Sequence, residues 1–273
     1  MADASSNYLR DALNNHLRGG TAYTPAATHY YALMTAMPLA SGGGTEVSGG
    51  SYSRVGYTNN TSNYPAPSGG QVQNANPINW GTATGNWGVV VGIAVYDASS
   101  GGNLIAFAVL TTPTTINTGN PFQIPANSAT FNFAPGNNWS TYLQNNMLGL
   151  VFGGTSFTPP ATTYFGLFLV MPTAAGTGGT EVSTSGTGYG RVSYADGTGD
   201  WPASTGQIIQ NAAIINFGTA TANWGLILGF AEFDAGSGGN MLTYAPFTSG
   251  SMTVNSGTPF QFPIGGMQDT WAA

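Results

Sequence analysis

Apolar residues recur at helical spacing in two places. Between Ser6 and Leu17, Tyr8, Leu9, Ala12, Leu13 and Leu17 share one face, and Arg10, Asp11 and Asn14 lie on the other; this spacing predicts an amphipathic helix. Ser5 or Ser6 is placed to cap its start and Gly19-Gly20 to stop it. The second stretch, Ser140 to Phe152, ends at Gly153-Gly154 and is more apolar, through Tyr142, Leu143, Met147, Leu148, Leu150, Val151 and Phe152. A helix this apolar has to be buried, in its own domain or against a partner.

After each helix the pattern changes to short β-rich runs divided by Gly, Pro, Asn and Ser. In the first half the runs are Thr28 to Met37, Tyr52 to Thr58, Gln71 to Trp80, Trp87 to Asp97, Leu104 to Leu110, Thr114 to Ile116 and Ala129 to Phe133. The continuous apolar run Val89 to Tyr96 fits a central strand of a sandwich. The segments DASSGGN and DAGSGGN fit hairpin turns, because Gly and Asn accept positive φ. Six to eight such strands in each half predict a β-sandwich, jelly-roll-like, with one short α-helix in front.

The second half repeats the first. SNYLRDALNNHLRGGTAYTPAATHYYALMTAMP from Ser6 aligns without a gap on STYLQNNMLGLVFGGTSFTPPATTYFGLFLVMP from Ser140, an offset of 140 − 6 = 134. GGTEVS recurs at an offset of 178 − 43 = 135, Arg54 meets Arg191 at 191 − 54 = 137, and Phe122 meets Phe260 at 260 − 122 = 138. Each insertion falls in a Gly/Ser/Thr-rich stretch. The expected organisation is two homologous domains, 1–135 and 136–273, joined at the turn-rich Ala134-Pro135-Gly136-Asn137.

Composition narrows the function. Of 273 residues only 5% are charged, with four Lys+Arg, ten Asp+Glu, two His and no Cys. Four scattered cations cannot neutralise a run of phosphates, so no nucleic-acid partner is expected. The absence of Cys excludes disulfides and thiolate chemistry, and two His cannot form a three-His zinc site. No apolar run approaches the ~18 residues of a membrane span, and the N-terminus has no signal-peptide pattern, so no membrane partner is expected. With 41% hydrophobic and 12% aromatic residues the chain can bury a core, unlike a disordered chain. Its surface must be Thr, Ser, Asn, Gln and Gly. Such surfaces suit assemblies, because ordering long charged side chains at every contact costs entropy.

Candidate chemistry is sparse. Glu46 with Arg54 and Glu181 with Arg191 recur in both copies, read as structural ion pairs clipping a Gly-rich connection or as contacts to another subunit or ligand. Asp97 and Asp234 each close a strand before a Gly-rich turn, where a carboxylate accepts backbone N–H groups; without further convergent oxygens they do not make a Ca²⁺ site. Trp87 and Trp224, in NWG and its repeat, are core indoles or sugar-stacking platforms. Asp196 and Asp200 flank a glycine turn with no acidic counterpart in the first copy. They read as a solvated loop, with glycosidase-type acid chemistry the sharper alternative. His16 and His29 read as exposed or packed imidazoles. Asn60-Thr-Ser and Asn138-Trp-Ser match a glycosylation acceptor pattern. No nucleophile elbow, phosphate loop or HExxH occurs. No catalytic residue, metal site or cofactor is expected.

The order of motifs carries a resemblance: a short helix, GGTAYTPAAT, a strand ending at MP, then GGTEVSGGSYSRV, TATGNWG, IAVYDA and SGGNLIAFA. It resembles a family of small bacteriophage virion proteins, met as single-copy domains the length of one repeat and named tail-fibre or minor structural proteins. The resemblance implies a non-enzymatic particle component, assembled in the host bacterial cytoplasm and bound to the major capsid protein or other virion proteins. Within that class the expected role is a capsid decoration or cement protein, with two domains bridging quasi-equivalent places, as a homo-oligomer and by local symmetry a trimer. The alternatives are a tail component (fibre, adaptor or tip) and a glycan- or receptor-binding module.

Overall fold

The computed structural model describes residues 2–133 and 138–270. The boundary read at 134–137 lies outside the described residues. Within the first repeat the elements are β1 (Ala2–Ser5), α1 (Asn7–Leu17), β2 (Thr28–Ala36), β3 (Thr45–Glu46), β4 (Val55–Thr58), β5 (Gln71–Gln73), β6 (Ile78–Thr82), β7 (Gly88–Tyr96), β8 (Leu104–Ile116), β9 (Pro121–Ile124) and β10 (Thr130–Asn132). The second repeat gives α2 (Thr141–Val151), β11 (Thr162–Val170), β12 (Thr180–Glu181), β13 (Val192–Ala195), β14 (Ile208–Gln210), β15 (Ile215–Thr219), β16 (Gly225–Ile227), β17 (Gly229–Phe233), β18 (Met241–Pro246), β19 (Met252–Val254), β20 (Pro259–Phe262) and β21 (Gln268–Thr270).

The described residues form two compact units, and each draws on both repeats. Unit 1 holds 2–13, 23–133 and 145–157; unit 2 holds 14–22, 138–144 and 158–270. The last turn of α1 thus belongs to unit 2, and most of α2 belongs to unit 1.

Unit 1 has an antiparallel sheet in the order β1-β8-β7-β2-β3, with β4 also on β2, and two short ladders, β5–β10 and β6–β9. Unit 2 repeats the plan with β12-β11-β17-β18, β13 on β11, and ladders β14–β21, β15–β20 and β16–β19. This is a mainly β, sandwich-like fold. In unit 2 the core joins Phe165 and Leu167 of the main sheet to Ile215, Phe217, Phe260 and Phe262 of a ladder. The sequence Pro-Phe-Gln-Phe in β20 turns alternate residues inward, the period that a pleated strand imposes.

The helix starts are fixed by side chains. Ser6 Oγ accepts the Leu9 N–H at 3.1 Å and donates to the Leu104 carbonyl. Ser140 does the same with the Leu143 N–H at 3.1 Å and the Met241 carbonyl. Each cap therefore satisfies an orphan helix donor and ties the helix to the strand after the Gly-rich turn.

The sequence predicts separate strands at Leu104 to Leu110 and Thr114 to Ile116. In unit 1 they are one strand, β8, carrying a large bulge opposite Val90 and Gly92. In unit 2 they stay separate, as β18 and β19. Pro246, where unit 1 has Val109, has no N–H to donate and ends the pairing of β18 with β17. The chain then turns, with the Gly250 N–H on the Phe247 carbonyl at 3.2 Å. The run Gln71 to Trp80 divides into β5 and β6, and β1, β3 and β9 appear where no strand is expected.

Candidate interaction sites

In each repeat the recurring acid and arginine meet. Arg54 Nη2 lies 2.9 Å from Glu46 Oε2, and Arg191 Nη2 lies 2.8 Å from Glu181 Oε2. Nε of each arginine bonds the same carboxylate. The remaining nitrogen reaches across to the Gly-rich turn: Arg54 Nη1 donates to the carbonyls of Ala98 (3.0 Å) and Gly101 (2.8 Å), and Arg191 Nη1 to those of Ala235 (3.1 Å) and Gly238 (2.8 Å). Each guanidinium lies over a ring, Tyr96 at 3.7 Å from its centroid and Phe233 at 3.4 Å. The planar fork of arginine makes these bonds together in a way lysine cannot.

The turn that each arginine grips is closed by its aspartate. Asp97 accepts the Asn103 N–H at 2.6 Å and the Asn103 side-chain amide at 2.7 Å; Asp234 and Asn240 repeat both bonds at 2.7 Å. On the other side of the carboxylate, the Tyr52 hydroxyl donates to Glu46 at 2.8 Å and accepts the Leu33 N–H at 2.9 Å. Tyr189 does the same with Glu181 (2.9 Å) and Leu167 (2.7 Å). Burial raises both phenols, so they stay protonated donors. Trp87 packs edge-on against Tyr52 and donates to the Gly50 carbonyl at 3.0 Å; Trp224 packs on Tyr189 and donates to Thr187 at 2.9 Å.

All eight candidate residues thus belong to one network per repeat. Tyr52, Tyr189, Asn103 and Asn240 complete it and were not singled out from the sequence. The tyrosine had a signal, standing two residues before the arginine in SYSR and in GYGR. Trp87 and Trp224 are only 4% and 3% exposed, so neither offers a face on which a sugar could stack.

A second cluster corrects the reading of Asp196 as part of a solvated loop. Its side chain is fully buried in unit 2, with Oδ1 3.8 Å from Arg18 Nη1. Arg18 also pairs with Glu232 and, at 3.4 Å, with Asp269 Oδ2. Its guanidinium lies 4.2 Å from the Trp201 ring centroid, and Glu232 accepts the Thr243 hydroxyl at 2.8 Å. Burial alone would lower the Arg18 pKa, but Glu232, Asp196 and Asp269 together outweigh it and hold the guanidinium charged. Burial raises the Asp196 carboxyl to about 7 despite Arg18, with Glu232 adding to the rise. Asp269 is raised for the same leading reason.

The equivalent place in unit 1 is aromatic. Phe152 is the repeat counterpart of Arg18, at the same offset of 152 − 18 = 134 that relates the two helices. It stacks on Phe131 at 4.3 Å and meets His29 (5.2 Å) and Tyr64 (5.6 Å). Burial pushes His29 down to about 4, so it is neutral there at pH 7. It faces the Tyr64 hydroxyl at 3.2 Å. His16 is buried in unit 2.

In unit 2 a cleft of about 610 Å³ opens beside the break between β18 and β19, lined in part by Phe230, Phe247, Phe260, Phe262 and Met252 with no charged residue. Among the described residues no group of three or more His, Asp or Glu is arranged to hold a metal ion. Among the described residues no helix is long and apolar enough to cross a membrane.

Comparison with known families decides the class. The model of a family described as podophage GP4 fiber I protein gp80 matches residues 4–132 and, a second time, residues 138–270. The chain belongs to this family. It carries the family unit twice in tandem, as a phage fibre or structural protein and a virion component. A search of curated proteins finds no match. The family description names a fibre, and nothing in it speaks for a capsid decoration role.

Proposed function

We propose that the chain is a non-enzymatic component of the phage tail, a fibre or a part joined to one, built to hold other virion proteins. The observation that carries this reading is the double match to a podophage fibre family, which spans nearly the whole chain. The charged side chains support it. Glu46, Glu181, Arg54 and Arg191 are engaged with their own turns, Asp97 and Asp234 with backbone and amide groups, and Asp196 with Arg18. Such a chain meets a partner mainly through uncharged surface, polar and apolar, and through β-structure. The cement role and a trimeric homo-oligomer are finer expectations within the same class; the tail reading fits the family description better than the shell. The glycan-binding reading loses its two indoles to the core.

Copy number per particle tests the proposal. Quantitative mass spectrometry of purified virions, scaled to the major capsid protein, is expected to give three to a few dozen copies, as tail structures of low symmetry require. Hundreds of copies would place the chain on the shell and overturn the tail reading. Light scattering of the purified chain reads the oligomeric state directly, with a trimer expected.

A further inference from the structure

Each unit holds a socket that receives the residue following a helix, and the two sockets differ in chemistry. The wall positions correspond one to one through the repeat. At offset 137, Tyr64 becomes Trp201, Val95 becomes Glu232 and Asn59 becomes Asp196; at 134, His29 becomes Thr163; at 138, Phe131 becomes Asp269. The last correspondence is also structural, because Phe131 pairs with Val72 as Asp269 pairs with Ile209. The occupants change with the walls. Phe152 of the second repeat fills the aromatic socket of unit 1, and Arg18 of the first repeat fills the acidic socket of unit 2.

We propose that Arg18 and Phe152 are addresses: the chemistry of each socket, and not the repeat to which it belongs, selects the helix end that it accepts. If each helix end stayed with its own repeat, Phe152 would meet Glu232, Asp269 and Asp196 with no cation among them. Arg18 would meet Phe131, Tyr64 and a neutral His29 with no carboxylate. A buried charge without a partner is strongly destabilising, so both pairings are disfavoured and only the observed one satisfies both sockets. The backbone shares this fit. Gly19 has φ +68° and a side chain there would strike the Asp196 carbonyl; Gly154 has φ +60° and a Cβ would lie 2.8 Å from the Asn59 carbonyl oxygen. Asn59 in turn donates to the last-turn carbonyl of Val151 at 2.9 Å. This exchange makes the tandem chain a matched pair rather than two interchangeable copies, independently of where in the particle it is placed.

The test uses the full chain and thermal unfolding at pH 5 and pH 8. Arg18→Phe, which gives unit 2 the other unit's address, is expected to lower the midpoint by about 10 °C at pH 8 and by less at pH 5. At the lower pH Asp196 and Asp269, whose carboxyls burial raises, can hold protons, in a socket they share with Glu232 and with the Tyr194 phenol nearby. The quadruple variant Arg18→Phe/Asp196→Asn/Glu232→Val/Asp269→Phe gives unit 2 the first socket's residues at these four positions. It is expected to recover most of the loss and to erase its pH dependence. Arg18→Lys keeps the charge and is expected to lose less than half as much as Arg18→Phe. Equal losses for Lys and Phe, a loss identical at both pH values, or no recovery in the quadruple variant would each overturn the proposal.

Discussion

Two units built on one plan solve the same burial problem by different chemistry. In unit 1 the helix end enters among Phe131, Tyr64 and His29, and its gain is area removed from water and ring contact. In unit 2 the helix end carries a guanidinium against three carboxylates and an indole. An aromatic plug tolerates imperfect geometry and carries no titratable group of its own, although its neighbour His29 is held neutral by burial. A buried ion cluster requires every partner present, and removing one leaves the others uncompensated. The clip around Glu46 and Arg54 shows the opposite case. It recurs around Glu181 and Arg191 with the same two bonds to the turn at closely matching lengths. Duplication thus kept the clip unchanged and let the sockets diverge.

The largest effect is expected at the charged socket. Arg18→Met leaves Glu232 and Asp269 buried without a cation and should cost about 3–5 kcal/mol at pH 8, measured by urea denaturation. Phe152→Ala should cost a comparable or slightly smaller amount, about 3–4 kcal/mol, from lost burial and a cavity. The two differ in pH dependence: the Arg18 deficit should grow from pH 5 to pH 8, while the Phe152 deficit, measured in a His29→Gln background so that the imidazole held neutral by burial does not titrate, should stay flat. Equal pH profiles would abolish the distinction between the sockets.

A smaller effect sharpens the comparison from the conserved side. Arg54→Ala and Arg191→Ala each remove a carboxylate pair, two carbonyl bonds and a ring contact, near the surface. Solvent screening limits each to about 1–2 kcal/mol, and hydrogen exchange should show the loss as opening of the 97–103 or 234–240 turn. Because the two clips have the same geometry, their losses should agree within error. A twofold difference would show that the clips have diverged as the sockets have.

The sequence carried the repeat, both helices, the serine cap of the first, a central strand and the recurrence of the acid and arginine, since all depend on local pattern or recurrence. It did not carry the exchange of helix ends. That feature depends on contacts between distant parts of the chain, such as Arg18 with Glu232 (a sequence separation of 214), and local periodicity has no term for them. A trace was nevertheless present. Three acids of the second repeat, Asp196, Glu232 and Asp269, stand where the first repeat has Asn, Val and Phe, and Arg18 stands where the second has Phe152. An unmatched cation in one copy and unmatched acids in the other point to each other. Reading Asp196 with its neighbour Asp200 as a loop pair missed this, because proximity in sequence was given more weight than mismatch between the copies.

Asp196 itself gives the most specific prediction. Its carboxyl is raised from the ordinary value of 3.8 to about 7, first by burial. The folded chain therefore binds a proton there that the unfolded chain has released between about pH 4 and pH 7. Stability falls as pH rises wherever the folded state holds more protons, so this residue weakens the fold progressively across that window and by a constant amount above it. Asp196→Asn installs the side chain that unit 1 carries as Asn59. It should flatten the stability profile between pH 4 and pH 7 and raise stability at pH 8 by about 1–3 kcal/mol. The gain should vanish near pH 4, where the aspartic acid is already neutral. A variant less stable than the parent at pH 8 would mean that the ionised carboxylate contributes more to holding Arg18 than its burial costs. The acidic socket would then be a favourable three-carboxylate clamp, and not a cluster in which Asp196 is a surplus charge.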